Sequence, residues 1–328
     1  MSHFITVPIN ENGIIFDTDM NAVVAEAIAE QPFGFEDVYV YSHGWSTDAY
    51  RALDEYNRFS VDLAKAILLA SGGATAFASP PRSSLGVGIH WPSEITEDPN
   101  SPLNALQLFT FYSMEHRADA VGKNAVYAML RLILSSRAGS ALPLRLFLLG
   151  HSFGSKVICA ALNDMQIDIA NGTIPVPAGL SFRVVLLEAA TDHDNLEPGD
   201  IYGAISAIKN LRLLVSTSSL DKALNVWFPA AAKIANICHS GNPTPALGAA
   251  GPSQATQQAF GSAAPVTIKP GFTASGVPPA ARLIVADLSP VHQARVDAGQ
   301  YPKDFFSGSH SDINFGEIYQ LVMGFLFT

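Results

Sequence analysis

Short apolar segments alternate with longer amphipathic segments along most of the chain. The short segments are rich in Val, Ile, Leu and Phe, as expected for the buried strands of a parallel sheet. The longer segments repeat apolar residues at helical spacing, as Leu53, Tyr56, Phe59 and Leu63 do. Since strands that alternate with helices build a parallel sheet covered on both faces, this pattern predicts an α/β fold.

The predicted elements follow one another closely. We predict strands at residues 4–9, 13–16, 37–42, 87–91, 144–149, 182–187, 211–216 and 282–286, the first two forming a hairpin around Asn12-Gly13. We predict helices at residues 21–29, 48–70, 119–134, 155–162, 201–208, 221–237 and 312–325.

Two segments interrupt this alternation. Residues 93–114 join a proline-containing polar stretch to an apolar one, and residues 240–280 are rich in Gly, Ala, Pro and Ser and nearly free of charge. Long segments without clear periodicity are usually functional loops, and both follow strands at the end of the sheet where ligands bind. We therefore expect one domain over residues 1–328, with 93–114 and 240–280 as lid-like insertions over an apolar pocket.

A serine between two glycines lies where a predicted strand gives way to a helix. The stretch is Gly150-His151-Ser152-Phe153-Gly154, and strand, G-x-S-x-G, helix is the context of a nucleophile elbow. The turn is so tight that the positions of Gly150 and Gly154 exclude bulky side chains. The helix N-terminus beside the serine favours negative charge there. The pattern predicts Ser152 as a nucleophile.

A serine nucleophile needs a base, and the base needs an acid that holds its tautomer. With this kind of elbow the chain order is serine, acid, histidine. Asp221 follows the predicted strand 211–216 and is the favoured acid, although an aspartate there also suits a helix N-cap. Glu188, Asp192 and Asp194 follow the preceding strand and are the alternatives.

Three histidines come later in the chain than Asp221. His310 lies in a loop of small residues directly before the last predicted helix, where a base would reach the elbow, and it is the favoured base. His292 follows the last predicted strand and is the alternative. His239 opens the Gly-rich segment and is the least favoured.

An oxyanion hole would complete the chemistry. The backbone N–H groups of Phe153, which follows the nucleophile, and of Trp45, in the loop after strand 37–42, are the candidate donors. Gly44 gives that loop its freedom, and the side chain of His43 is expected to be a structural hydrogen-bonding group. We expect the substrate pocket to be lined by His43, Gly44, Trp91, Phe109 and Tyr112.

Composition narrows the functional classes. The net charge is −10 and the basic residues are not clustered, which argues against nucleic acids and anionic membranes as partners. Two cysteines are too few for a disulfide framework. The first twenty residues contain acidic side chains and no long apolar core, so we expect no signal peptide, no membrane span and a cytoplasmic protein. The Asp-x-Asp pattern at 192–194 is weak, and we predict no metal.

Together these residues resemble the α/β-hydrolase superfamily of serine hydrolases. The resemblance spans residues 37–325 and is narrower to an uncharacterised branch, through the motifs His43-Gly44-Trp45, Trp91-Pro92-Ser93, Gly150 to Gly154 and Ser218-Ser219-Leu220-Asp221-Lys222-Ala223-Leu224. The spacer before His310 is longer than in that branch, so His292 stays an alternative.

The resemblance implies an α/β-hydrolase fold with a mostly parallel sheet of the eight-stranded type. It also implies a hydrolase without cofactor that cleaves a small apolar carboxylic ester through an acyl-serine intermediate. The alternatives are a catalytically idle scaffold that binds a ligand or a protein, and a hydrolase of amides, thioesters or lactones.

Overall fold

The computed structural model describes residues 3–15, 35–45, 47, 49–72, 84–93, 107–238, 244–301 and 308–327. The helix predicted at 21–29 lies outside these residues. No helix among the described residues is long and apolar enough to cross a membrane.

One eight-stranded sheet organises the chain, and its strands all run parallel. The strands are β1 (His3–Pro8), β2 (Asp37–Ser42), β3 (Ser84–His90), β4 (Arg145–His151), β5 (Ser181–Leu187), β6 (Leu211–Thr217), β7 (Ala263–Thr267) and β8 (Leu283–Asp287). Their order across the sheet is β1-β3-β2-β4-β5-β6-β8-β7. The prediction of an α/β fold is thus confirmed, and the described sheet is parallel throughout.

Helices cover both faces of the sheet. The α-helices are α1 (Ala49–Gly72), α2 (Gln107–Val121), α3 (Tyr127–Ser136), α4 (Phe153–Ala170), α5 (Phe228–Cys238), α6 (Leu247–Ala250), α7 (Gln254–Ala259), α8 (Ser289–Asp297) and α9 (Gly316–Phe327). Short π-helical turns at Gly122–Val126 and Ala223–Trp227 and 3₁₀ turns at Gly203–Ala207 and Ala274–Gly276 complete the described helical elements.

Alternate residues of each central strand face two separate apolar cores. In β4, Leu146 and Leu148 belong to the core that contains α2, α3 and α4, whereas Phe147 and Leu149 belong to the core that contains α1 and α9. This alternation follows from the two-residue period of a strand. Because both faces are covered, the middle residues of β2 and β4 are apolar or aromatic, and the charged side chains of Asp37 and Arg145 lie at the starts of these two strands.

The N-terminal hairpin is shorter than predicted. Strand β1 pairs in parallel with β3, and in the described part of the returning arm, residues 13–15, one antiparallel bridge joins Ile9 and Ile15. The side chain of Asn10 accepts the backbone N–H groups of Asn12 and Ile14, each at 2.9 Å, and so closes the turn without a second strand.

The prediction that 240–280 is an irregular insertion is wrong for its described part. Residues 244–280 contain α6, α7 and the edge strand β7. The sequence of β7, AAPVT, has no run of large apolar residues, and most of its side chains are half-buried or exposed. Its proline is compatible with pairing on one side only, which is the position of an edge strand.

The helix predicted at 119–134 is one part of a longer helical stretch. Helix α2 begins at Gln107, inside the segment 93–114 predicted to be a loop, and continues through the π-helical turn into α3. Residues 94–106 lie outside the described part of the chain, so the lid prediction for them is not addressed.

Candidate active site

The loops after β2, β4, β5 and β6 lie at the same end of the sheet, because the carboxyl ends of parallel strands all lie there. The chain leaves β2 toward β3 on one side and enters β4 on the other, which makes the space between the ends of β2 and β4 a topological switch point. Ligands of open α/β sheets bind at such points. Gly44 follows β2 and Ser152 follows β4, so both lie at this point.

Ser152 occupies a strained turn between β4 and α4. Its φ of 54° and ψ of −125° are rare for a residue with a side chain. A Cβ at Gly150 would lie 2.5 Å from Gly154 O, and a Cβ at Gly154 would lie 2.1 Å from Ser42 O. Both glycines therefore permit backbone approaches that any larger residue would prevent, in agreement with the prediction from the elbow pattern.

Three side chains from distant parts of the chain form a continuous hydrogen-bonded row. The Ser152 hydroxyl lies 2.8 Å from Nε2 of His310, and Nδ1 of His310 lies 2.7 Å from Oδ2 of Asp221. A carboxylate accepts only, so Nδ1 carries the proton and Nε2 has the lone pair that accepts the Ser152 O–H. This tautomer and these distances are those that proton transfer from the serine requires.

Asp221 accepts two hydrogen bonds, one with each carboxylate oxygen. Oδ2 accepts from His310, and Oδ1 accepts the backbone N–H of Leu224 at 2.9 Å in the π-helical turn that follows. The interpretations of Asp221 as a helix cap and as the partner of a histidine are thus compatible. The carboxylate is completely buried, and the two bonds fix its orientation.

The loop that carries His310 is anchored by neighbours that the sequence did not single out. Asp312 forms two hydrogen bonds with the guanidinium group of Arg295, at 2.7 and 2.9 Å. Gly308 forms a bridge with Asp221, and the backbone N–H of Ser309 donates to Leu220 O. These contacts join the His310 loop to α8 and to the loop that carries Asp221. The imidazole is therefore held by its surroundings as well as by its two hydrogen bonds.

His292, the alternative base, is part of this anchoring. It is completely buried; its Nδ1 lies 3.0 Å from the Ser218 hydroxyl and its Nε2 lies 3.0 Å from Asp312 O. Burial lowers the pKa of His292. The structure thus gives both ring nitrogens of His292 a partner other than Ser152, one in the loop after β6 and one in the loop that carries His310. His239 lies outside the described residues.

Comparison with known proteins found no match, since no family profile fits the chain and no curated protein or solved structure is significantly similar to it. What the site does must therefore be inferred from its geometry and chemistry.

The loop after β2 packs directly on the elbow. A Cβ added at Gly44 would lie 2.8 Å from Cβ of Ser152, so only glycine allows this approach. Trp45 follows, partly exposed, with its ring edge against the ring of Phe153 at 6.3 Å between centroids. The two candidate oxyanion donors thus belong to residues whose rings contact each other. Phe153 directly follows Ser152, and Trp45 directly follows Gly44.

His43 and Trp91 form a buried support beneath this loop. Both side chains are 0 % exposed, and their rings stack at 5.4 Å. Nδ1 of His43 donates to Gly44 O at 2.8 Å, and Nε2 accepts the backbone N–H of Trp91 at 3.3 Å. The prediction of a hydrogen-bonding role for His43 fits this arrangement. Both residues were also predicted to line the pocket, but their side chains are fully buried, so they support the loop after β2 from beneath.

Acid should destabilise the protein in part through His43. Burial lowers the pKa of His43 from 6.5 to about 3, so between these values the unfolded chain binds a proton that the folded chain does not. Its contribution to stability is complete above pH 6.5 and is lost as the pH falls. We expect His43→Gln to reduce the loss in unfolding free energy between pH 7 and pH 5 by about 2 kcal/mol.

Urea denaturation of both proteins at the two pH values measures this difference. His116→Gln, at a histidine whose side chain is exposed, is the matched control for the replacement of an imidazole. An equal pH dependence in His43→Gln and the unsubstituted protein would show that folding does not lower the pKa of His43.

Of the three alternative acids, Asp192 and Asp194 have no described contact with His310, whereas Glu188 lies close to it. Asp192 accepts the Thr244 hydroxyl at 2.6 Å. Glu188, directly after β5, is completely buried beside the His310 and Asp221 pair, and its carboxyl group has no hydrogen-bond partner among the described residues. Burial, with the nearby carboxylates of Asp221 and Asp312, raises the pKa of Glu188 well above its usual value.

His151, the residue before the serine, contributes to the site in a way the pattern did not predict. Its Nε2 lies 2.9 Å from the backbone oxygen of His310, and the two rings are 5.2 Å apart. Burial lowers the pKa of His151 from 6.5 to about 3, which keeps the ring neutral. His151 therefore joins the end of β4 to the loop that carries His310. A variable position of the motif gives no signal for this contact.

The described part of 240–280 supports the acid side of the site. Gly248 N donates to Ala189 O at 3.0 Å, and Ser218 N donates to Gly248 O at 3.2 Å. A short helix from this segment thus joins the loop after β5 to the loop after β6. Phe109 and Tyr112 are at the start of α2, and their side chains are not among those that the structure describes. The prediction that they line a pocket is therefore not addressed.

Proposed function

We propose that this protein is a serine hydrolase of the α/β-hydrolase fold that cleaves carboxylic esters of small apolar molecules. The observation that carries the proposal is the row of two hydrogen bonds, 2.8 and 2.7 Å, from Ser152 through His310 to Asp221. The chain order serine, aspartate, histidine and the strained turn after β4 agree with this class of enzyme.

In the proposed reaction Ser152 Oγ attacks the ester carbonyl carbon while Nε2 of His310 takes the hydroxyl proton. The imidazolium ion that forms is stabilised by Asp221, which keeps its charge. The carbonyl oxygen becomes negative near the N-terminus of α4, where the backbone N–H groups of Phe153 and Trp45 are the proposed donors. His310 then protonates the departing alcohol, which leaves an acyl group on Ser152.

Water completes the cycle by the same steps in reverse. His310 takes a proton from a water molecule as its oxygen attacks the acyl carbon, and returns the proton to Ser152 as the acid leaves. Every proton moves between groups named here, so no cofactor takes part in the proposed reaction.

A panel of p-nitrophenyl esters tests the proposed function. Acetyl, butyryl and octanoyl esters should be hydrolysed faster than the anionic succinyl ester, since the candidate site has a buried aspartate and the rings of Trp45 and Phe153 pack beside the elbow. Purified protein should release an initial burst of one nitrophenol molecule per chain as the acyl-enzyme forms. If folded protein hydrolyses none of the neutral esters, the proposal of an ester hydrolase fails.

A catalytically idle scaffold is the contrasting possibility, and one observation argues against it. The strained φ of Ser152 and the fixed tautomer of His310 are costly for a protein that only binds, because strain of this kind persists where function requires it. Covalent labelling of the serine separates the two possibilities, as argued in the Discussion.

A further inference from the structure

Glu188 is a buried acid without a hydrogen-bond partner, which is rare enough to require an explanation. Its side chain is 0 % exposed, and neither carboxyl oxygen is hydrogen-bonded within the described part of the chain. Its φ of 44° is in the left-handed region that favours glycine. Oε1 of Glu188 lies 3.9 Å from Nδ1 of His292, too far for a hydrogen bond, so no hydrogen bond among the described residues compensates the burial of this carboxyl group.

Two histidines face the same point. One ring nitrogen of His151, one of His310 and one carboxyl oxygen of Glu188 all lie within 4.8 Å of one another. Nδ1 of His151 also has no hydrogen-bond partner among the described residues. Three metal-binding groups therefore converge from the end of β4, the end of β5 and the loop before α9, and two of them have unused capacity.

Two imidazoles and a carboxylate are a ligand set typical of zinc. We propose that His151, Glu188 and His310 form a binding site for a divalent transition-metal cation, Zn²⁺ in particular, that holds the protein in an inactive state. Tetrahedral zinc with bonds of about 2.0–2.1 Å places its ligand atoms about 3.3 Å apart. Since the three ligand atoms lie within 4.8 Å of one another, they must close in by at most about 1.5 Å, and the His310 ring must give up part of its hydrogen-bonded row to do so.

Zinc binding and catalysis exclude each other at this site. Both nitrogens of His310 are in use, Nε2 toward Ser152 and Nδ1 toward Asp221. Whichever nitrogen binds the metal, one bond of the row breaks. The inhibition rests on the proposed function, whereas the binding itself does not. The cation is an inhibitor here and takes no part in the ester chemistry.

Calorimetric titration of ZnCl₂ into metal-free Ser152→Ala protein tests the site without reference to activity. We expect one zinc ion per chain, and no binding of Mg²⁺ or Ca²⁺, which prefer sites made of oxygen atoms. Adding Glu188→Gln should weaken zinc binding at least about tenfold. The partly exposed Glu197 provides the matched control, and Glu197→Gln should bind zinc as tightly as the parent protein.

A second variant guards against a folding defect in Glu188→Gln. His151→Gln should weaken zinc binding by a similar factor, and near-ultraviolet circular dichroism of each variant reports its packing. The visible spectrum of bound Co²⁺ should be that of nitrogen and oxygen ligands in a four-coordinate site. Failure of zinc to bind, or zinc binding equal in Glu188→Gln, His151→Gln and the parent, would overturn the proposal.

The activity readout is the ratio of ester turnover with and without zinc in each protein. We expect zinc to suppress turnover in the unsubstituted protein and EDTA to restore it, and Glu188→Gln to need at least about tenfold more zinc for the same suppression. If the protein has no ester hydrolase activity but the calorimetric result holds, the metal site stands and the proposed function fails.

Discussion

Ser152→Ala is expected to lower ester turnover by about 10⁴- to 10⁶-fold, the loss seen when the nucleophile of such a triad is removed. The only hydroxyl that His310 Nε2 contacts is that of Ser152, at 2.8 Å, so no described group can replace it. Alanine removes one oxygen atom from a residue that is 3 % exposed. The backbone hydrogen bonds of the elbow, from Ser152 N to Leu187 O and from Ala190 N to Ser152 O, remain.

Turnover of p-nitrophenyl butyrate and urea denaturation of the same preparations measure both parts of this prediction. The unfolding free energy should change little or rise, because the strained turn loses no partner that it needs for folding. A residual turnover within about tenfold of the unsubstituted protein would assign the chemistry to another residue.

His310→Ala should be as inactive as Ser152→Ala, since the two residues act as one unit and their losses do not add. The double variant is expected to lose no more than about threefold beyond either single variant. Asp221 would then be left without its histidine, buried but still hydrogen-bonded to Leu224.

His292→Gln is the control for His310→Ala. His292 is buried between the Ser218 hydroxyl and Asp312 O, so its replacement should lower the unfolding free energy by about 1–3 kcal/mol. The ester turnover of His292→Gln should remain far above that of His310→Ala. An inactive His292→Gln together with a nearly normal His310→Ala would make His292 the base, although the row of hydrogen bonds contains His310.

The residues of the candidate site could be predicted from the sequence because each stands beside a strong local signal. Ser152 is flanked by two glycines, and the tight backbone at this turn leaves no room for a side chain at either of them. Asp221 follows a strand and caps the next turn, and His310 lies in a small-residue loop before a helix. Chain order then links the three. The structure brings them within hydrogen-bond distance of one another.

The surroundings of the site could not be predicted in this way. Arg295 and Asp312 anchor the His310 loop through contacts between residues far from the elbow, and pairs of this kind leave no periodic pattern. Glu188 was considered only as an alternative acid, because sequence reveals neither its burial nor its lack of a hydrogen-bond partner among the described residues. Strand β7 was missed because an edge strand of small residues and proline resembles a loop.

Labelling with a fluorophosphonate tests the central claim most directly, because the reagent reacts with an activated serine whatever the natural substrate is. Unsubstituted protein, incubated with the reagent and digested, should yield one modified peptide, with the adduct on Ser152, and Ser152→Ala should yield none. Heat-denatured protein should not react, since activation depends on His310 and Asp221 being in place. Labelling that persists in Ser152→Ala, or folded protein that takes up no label at all, would contradict the assignment of Ser152 as the nucleophile.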